Sequence, residues 1–165
     1  EAGEICAKGP QIMSGYWQKP TANAKAFTAD GYFRTGDIGI FAADGLLKIV
    51  DRKKDLIIVS GFNVYPNEVE VVVASCPGVS ECAVIGMPDE RSGESVCLYV
   101  VKAANATLDE ATLVQHCRAH LAAYKVPRQV RFLTALPKST VGKILRKDLR
   151  VLATAGSSPE SILVG

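Results

Sequence analysis

The stretch D-R-K-K-D-L-I-I-V-S, residues 51 to 60, decides the organisation of this chain. Five consecutive charged residues do not sit inside a core without partners. They are followed at once by a short β-branched run, L-I-I-V-S, that reads as a strand. The composition change marks a boundary, which we place between residues 52 and 53.

Upstream of it, residues 1–52 are β-rich and too few to be comfortable alone. Residues 3–8 read as a strand and 20–27 as a short helical or irregular segment. I-G-I-F-A (38–42), the turn A-D-G (43–45) and L-L-K-I-V (46–50) read as a β-hairpin. Asp44 and Gly45 carry the turn chemistry.

Downstream, the expected order is β-α-β-β-α-β-α. A helix is expected over 66–75. Pro66 suits its first turn, Glu68 and Glu70 favour its N-terminal dipole, and Val69, Val72 and Val73 form its apolar face. Strands follow at 81–87 and 95–101, joined by the polar linker P-D-E-R-S-G-E. Thr107 and Glu110 form a capping-box pattern for a helix running to Leu121, with Leu113, Cys117 and Leu121 on one face. A strand at 129–133 and a terminal helix close the domain. The fold class is therefore α/β (α+β), a small mixed sheet with packed helices over about 95 residues. Residues 151–165 read as a flexible tail.

The bulk numbers exclude several classes. Nineteen basic residues against 17 acidic ones leave a formal charge of +2, too balanced to argue for nucleic acid. No apolar run approaches the ~18 residues that span a bilayer. Five cysteines with no C-x-x-C pair favour reduced thiols in a cytoplasmic setting. The first residues, E-A-G-E-I, show no signal peptide and no initiator Met, so the chain reads as a piece of a longer protein.

Several residues suggest chemistry, each beside a plainer reading. Asp37 in F-R-T-G-D (33–37) follows a Thr-Gly turn that would hold it at a loop tip. Vicinal ribose hydroxyls would suit it, although from these residues alone an ordinary turn aspartate is the better reading. Arg52 offers a rigid donor fork and Lys54 a pivot position, against a solvated charge run. Gly61 in S-G-F-N-V-Y-P allows close backbone approach or a positive φ, against a strand-ending turn. P-K-S-T-V-G-K (137–143) puts Lys143 on a Gly-containing loop before the basic stretch I-L-R-K-D-L-R. It is not a P-loop, since Pro137 and Ile144 stand where that motif needs Gly and Ser or Thr. The basic stretch reads as a solvated helix face, because Asp148 interrupts it and no aromatic residues interleave. His116 and His120 lie four apart on a helix without further metal ligands at suitable spacing, so no metal site is expected there.

In order, these segments resemble the adenylate-forming enzymes: acyl-CoA synthetases, luciferases and peptide-synthetase adenylation domains. The resemblance runs from Gly3 to Arg150. It covers G-E-I, G-P-Q-I-M-S-G-Y-W and T-A-N-A-K-A-F, then F-R-T-G-D, then D-R-K-K-D-L-I-I-V-S-G-F-N-V-Y-P-N-E-V-E, and finally P-K-S-T-V-G-K-I. The wording of the hinge segment, of Y-K-V-P-R and of L-P-K-S-T-V-G-K-I-L-R is most similar to bacterial long-chain fatty acid–CoA ligases.

The resemblance implies roles. Asp37 and Arg52 hold the ribose of ATP, Lys54 is the hinge, and Ser60, Gly61 and Phe62 line the tunnel for CoA. Lys143 supports attack of a fatty carboxylate on the ATP α-phosphate. Residues 53–150 form the C-terminal lid, which alternates between adenylate and thioester formation. Substrates are a fatty acid, ATP and CoA, with Mg2+ bound by residues of the larger N-terminal domain, which carries the phosphate loop and acyl pocket. Some relatives have a lysine where Ile58 stands. The expected reading is a C-terminal part of a fatty acid–CoA ligase, inactive by itself. It would be cytoplasmic or peripheral at the inner membrane face, and a homodimer through the edge of residues 1–50. Alternatives are another acyl- or aryl-CoA ligase, a free-standing nucleotide- or pantetheine-binding module, or a basic interaction domain.

Overall fold

The computed structural model describes residues 1–154. The chain divides into two compact units, Glu1–Lys54 and Asp55–Gly165, so the division falls two residues after the expected boundary.

The first unit is a three-stranded antiparallel sheet of β1 (Gly3–Ala7), β2 (Phe33–Phe41) and β3 (Leu47–Arg52), in that spatial order. A short helix, α1 (Pro20–Ala26), lies between β1 and β2 in sequence. The β2–β3 hairpin forms as expected. Gly45 takes φ +83°, and the Leu46 N–H donates to Asp44 Oδ1 at 3.0 Å.

Asp37 departs from the expected loop tip. It lies inside β2, because Gly36 takes φ +75° and the strand bulges instead of turning. Cys6 pairs with Arg34 and Glu4 with Ile38, so residues 35–37 face only Ile5 across the ladder. A bulge of this kind re-aims a side chain without ending the strand.

The second unit is a five-stranded mixed sheet. Its strands are β4 (Ile57–Val59), β5 (Phe62–Val64), β6 (Val79–Asp89), β7 (Gly93–Lys102) and β8 (Gln129–Leu133). The order β5-β4-β7-β6 is antiparallel throughout, while β8 runs parallel to β7. Since β6 occupies one edge of β7, β4 and β8 share the other. β4 meets it at Gly93, and β8 takes residues 97–101.

Helices α2 (Pro66–Ala74) and α3 (Glu110–His120) cover one face, and α4 (Arg146–Thr154) the other. β7 shows why the sheet needs both. Val96, Leu98 and Val100 join the core under α2 and α3, while Cys97 and Tyr99 join the core under α4. A strand buried on both faces has no polar alternation, which is how S-V-C-L-Y-V-V reads. Each fully buried Val or Leu contributes roughly 1.5–3 kcal/mol by leaving water. On α3, Leu113 and Cys117 are buried and Leu121 packs against them, as the four-residue spacing predicts.

Four expectations need correction. First, S-G-F-N-V is not a strand end: β4 and β5 form a hairpin turning at Ser60 (φ +51°) and Gly61 (φ +83°). Positive φ at both turn residues is the geometry that matches strand twist, so the observed order gains a strand. Second, the linker after Met87 is mostly strand, and Asp89 pairs directly with Gly93. Third, the cap of α3 is Asp109 rather than Thr107, its carboxylate accepting from the Thr112 N–H at 2.8 Å. Fourth, residues 151–154 of the expected tail belong to α4, and the remaining tail lies outside the described residues. All five cysteines are free thiols. Among the described residues no helix is long and apolar enough to cross a membrane.

Candidate functional site

In the first unit the β2–β3 register places Asp37 directly opposite Arg52. The Arg52 Nη1 lies 3.1 Å from Asp37 Oδ1, and both side chains reach solvent, Arg52 at 51% and Asp37 at 24% exposure. The bulge is itself braced. The Asp37 N–H donates to Thr35 Oγ1 at 3.1 Å, and Thr35 Oγ1 donates to the Ile5 carbonyl at 2.8 Å. T-G-D is thus a unit: Thr anchors, Gly bends, Asp presents. A carboxylate beside a guanidinium is a matched acceptor and donor for adjacent hydroxyls.

Lys54 lies exposed in a 3-10 turn, Lys53–Asp55, at the point along the chain where the two units divide. Lys53 instead pairs with Glu4 at 2.8 Å, and with Arg34 it holds the Glu4 carboxyl below its ordinary range.

In the second unit, Ser60, Gly61 and Phe62 form the tip of the β4–β5 hairpin. A Cβ on Gly61 would meet no atom within 4 Å, so the backbone there is open to approach. Phe62 is 57% exposed and stacks on Tyr124 with ring centroids 4.8 Å apart. Ser60 also lines a cleft with Arg118, Tyr124 and Arg128.

Lys143 closes a tight loop on its own. Lys138 bridges to Ile144 across it, the Ser139 N–H donates to the Lys143 carbonyl at 2.8 Å, and the Lys143 N–H donates to Ser139 Oγ at 3.2 Å. Gly142, at φ +78°, makes the corner. The side chain of Lys143 is exposed. The loop flanks a groove lined by Asn67, Glu70 and Glu81, while the hairpin tip lines the cleft beside α3. The structure therefore joins Asp37 with Arg52, and Ser60 with Gly61 and Phe62, but keeps Lys143 in a separate loop.

Two groups of residues depart from the sequence expectation, the first because Arg146, in the stretch expected to be a solvated helix face, is only 19% exposed and ion-paired. Arg146 Nη2 donates to both Glu70 oxygens, at 2.8 and 2.9 Å, and Arg150 Nη2 donates to Asp55 Oδ1 at 2.9 Å. Glu70 also accepts from the Val84 N–H at 2.8 Å, so it works as a junction rather than as a dipole acid of α2. The second group centres on Glu94, whose carboxylate accepts from the Ile58 N–H at 2.7 Å. Charge spacing offered a weak signal for the first group and none for the second.

The His116 and His120 rings lie tilted with centroids 4.6 Å apart, and the imidazole Nε2 of His116 lies 3.0 Å from the Val72 carbonyl. His116 thereby ties α3 to α2, while His120 bonds within α3, to the His116 carbonyl. Among the described residues no three His, Cys, Asp or Glu side chains are grouped to hold a metal.

Comparison with known proteins fits this arrangement. Residues 68–143 match the model of the AMP-binding enzyme C-terminal domain. Over 150 residues the chain is 58% identical to a long-chain-fatty-acid–CoA ligase of Salmonella typhimurium, covering 91% of this chain and 26% of that protein. It is 47% identical over 150 residues to a methyl-dioxo-octahydroindenyl-propanoyl:CoA ligase of Mycobacterium tuberculosis, covering 91% of this chain and 30% of that one. An ATP-bound MatB from Rhodopseudomonas palustris superposes with a TM-score of 0.86 at 41% identity, covering 92% of this chain and 30% of that structure. The chain spans about a quarter of the curated relatives it matches. Residues 68–143 thus match an AMP-binding enzyme C-terminal domain, and more than nine-tenths of the chain is similar to adenylate-forming enzymes.

Proposed function

We propose that this chain supplies the lid, the hinge and part of the nucleotide site of an AMP-forming fatty acid–CoA ligase. The observation that carries the reading is the Asp37–Arg52 pair, built by strand register in a chain 58% identical to such a ligase. In the first half-reaction the Asp37 carboxylate accepts from the ribose hydroxyls and Arg52 steadies it. Lys143 brings a mobile cation to the reacting carboxylate and α-phosphate, where negative charge builds. The fatty carboxylate attacks the α-phosphate, the bond to the β-phosphate breaks, and pyrophosphate leaves with the electron pair. In the second half-reaction Lys54 absorbs the backbone rotation and the Ser60–Phe62 tip lines the path of the CoA thiol. The thiol sulfur attacks the acyl carbonyl, loses its proton to solvent, and expels AMP. One lid serves both steps by alternating between two states.

Mg2+ goes with ATP in this reading, and we assign its ligands to the larger N-terminal domain outside this chain. Placement in the cytoplasm, at the inner membrane face when acyl chains are drawn from it, belongs to the same proposal. So does pairing of two copies through the edge strand β3, whose Leu47 and Ile49 are exposed. Light scattering that shows only monomer would remove that last part.

Residues 1–165 contain no Ser/Thr/Gly-rich phosphate loop. By themselves they are expected to make no thioester. The test uses the longer protein carrying this chain, supplied with ATP, a fatty acid and CoA. Wild type should release AMP and form acyl-CoA, and Lys143→Ala should lose adenylate formation by about 10²-fold or more. Equal rates for the two would refute the role of Lys143. A second reading, a ligase for a different acid, is favoured by the 47% identity to the indenyl-propanoyl ligase. Turnover of bicyclic propanoates in preference to fatty acids would select it.

A further inference from the structure

Ile57, Val59 and Val64 bury one face of the β4–β5 hairpin in the core, but its main-chain ladder to the rest of the sheet is sparse. Each strand has three residues, and the β4–β7 ladder consists of one pair, Val59 with Gly93. Short two-stranded hairpins are marginal by themselves. Yet this one carries the Ser60–Phe62 tip.

Successive residues of a strand direct their N–H groups to alternate edges. Val59 pairs with Phe62 across the turn, so Ile58 and Ser60 turn their N–H groups toward β7. The Ser60 N–H finds a main-chain rung, the Ser92 carbonyl, at 2.8 Å. The Ile58 N–H finds instead the Glu94 Oε2, at 2.7 Å. Just beyond, the edge of β7 passes to the other chain segment: the Val96 carbonyl accepts from the Arg128 N–H at 2.9 Å, and β8 pairs from Cys97 onward. The Glu94 side chain therefore takes the rung where a main-chain oxygen would stand in a longer ladder.

A glycine makes room for it. A Cβ at Gly86 would sit 2.8 Å from Glu94 Oε1 and 3.1 Å from Ile57 Cγ2. The other carboxylate oxygen thus rests over bare backbone of β6.

We propose that Glu94 is a positioning residue for the Ser60–Gly61–Phe62 tip, and through it for the thioester half-reaction alone. The inference rests on the proposed role of that tip. Glu94 fixes the height of β4 against β7 by a charge-assisted bond, and the tip follows two residues later. Lys143 sits in a separate loop with its own bonds, so adenylate formation does not depend on Glu94.

Two arms test this. In the 165-residue chain, amide exchange at Ile58 and Ser60 is compared in wild type, Glu94→Ala and Glu94→Gln. The Ala variant should lose protection at both by roughly ten-fold or more, the size expected for a hydrogen bond to a charged group. The Gln variant keeps an acceptor oxygen and should recover most of it. In the longer protein, Glu94→Ala should raise the KM for CoA roughly ten-fold with pyrophosphate release unchanged, and Glu94→Gln should restore it. Unaltered exchange at Ile58 overturns the positioning claim. So does an equal loss in both half-reactions, or a Gln variant no better than Ala, since each marks a general structural role. Wild-type protein that forms no thioester would sink the proposed function, while the exchange arm would still decide whether Glu94 positions the hairpin.

Discussion

Arg146→Met tests whether the ion network beneath α4 holds the second unit together. Arg146 donates to Glu70 through two bonds of 2.8 and 2.9 Å, and its Nη1 lies 3.9 Å from Asp55 Oδ2. The side chains are 19%, 18% and 7% exposed respectively, so little water is available to replace the lost cation. Methionine preserves much of the aliphatic volume and removes the charge. Asp55 keeps Arg150, and Glu70 keeps the Val84 N–H, but two largely buried carboxylates then share one fewer positive partner. Breaking such a pair from one side costs about 3 kcal/mol. For a domain of this size that is a fall in Tm on the order of 10–20 °C. Circular dichroism of the helical signal is the assay, because α2, α3 and α4 all belong to this unit. Arg146→Lys should recover little, since an ammonium does not reproduce the two-bond fork. Combined with Glu70→Gln, the second substitution should cost less than it does alone, by about 1–3 kcal/mol. A Tm within about 2 °C of wild type for Arg146→Met would refute the reasoning, because that is how a solvent-screened surface pair behaves.

Two further outcomes follow from single residues. Asp89 accepts from Ser92 Oγ at 2.7 Å and from the Ser92 N–H at 2.9 Å, and these bonds bring its pKa down from 3.8 to about 2. The folded form therefore binds its proton later than the unfolded chain as pH falls, so its stabilisation is complete above about pH 4 and lost toward about pH 2. Melting curves of wild type and Asp89→Asn should converge across that window, and a gap that stays constant with pH would contradict the assignment. Gly61→Ala should fold with a loss of only about 1–2 kcal/mol, since φ +83° strains the new residue but nothing obstructs its Cβ. Its KM for CoA should rise far more than its Tm falls, and parallel changes in the two would argue against close ligand approach at that backbone.

The two sets of bonds divide the labour of the second unit. Asp55 ends the 3-10 turn and is tied through Arg150 and Arg146 to α4, which begins three residues after Lys143. The start of the unit and the end of the lysine loop are thereby fixed in one body. The Ser60 tip hangs from the opposite side of the sheet by Glu94, Ser92 and the Phe62–Tyr124 stack. The Lys143 loop and the Ser60 tip are each braced locally, so a perturbation of one is expected to leave the other standing.

What could be read in advance followed from how locally it was determined. β7 was legible because burial on both faces leaves an unbroken apolar run, and α3 because Leu113, Cys117 and Leu121 repeat at helical spacing. β5 was missed because F-N-V is only three residues long and Ser-Gly is a weaker hairpin signal than Asn-Gly or Asp-Gly. The α3 cap is ambiguous in sequence because two candidates, Thr107 and Asp109, stand two residues apart. Leu108 is buried at 6% exposure, so the chain enters the core before the helix begins, and that leaves Asp109 to meet the first N–H groups. Asp37 reads as a loop tip because T-G-D spells a turn locally. The partner strand β1 converts that turn into a bulge, and only pairing across 30 residues, Thr35 to Ile5, reveals it. Glu94 lies 36 residues from the N–H it serves, inside a segment that reads as linker. The residues proposed for chemistry are exposed on short motifs, and short motifs are readable. The residues proposed to aim them act through long-range bonds, and those become visible only when strand register is known.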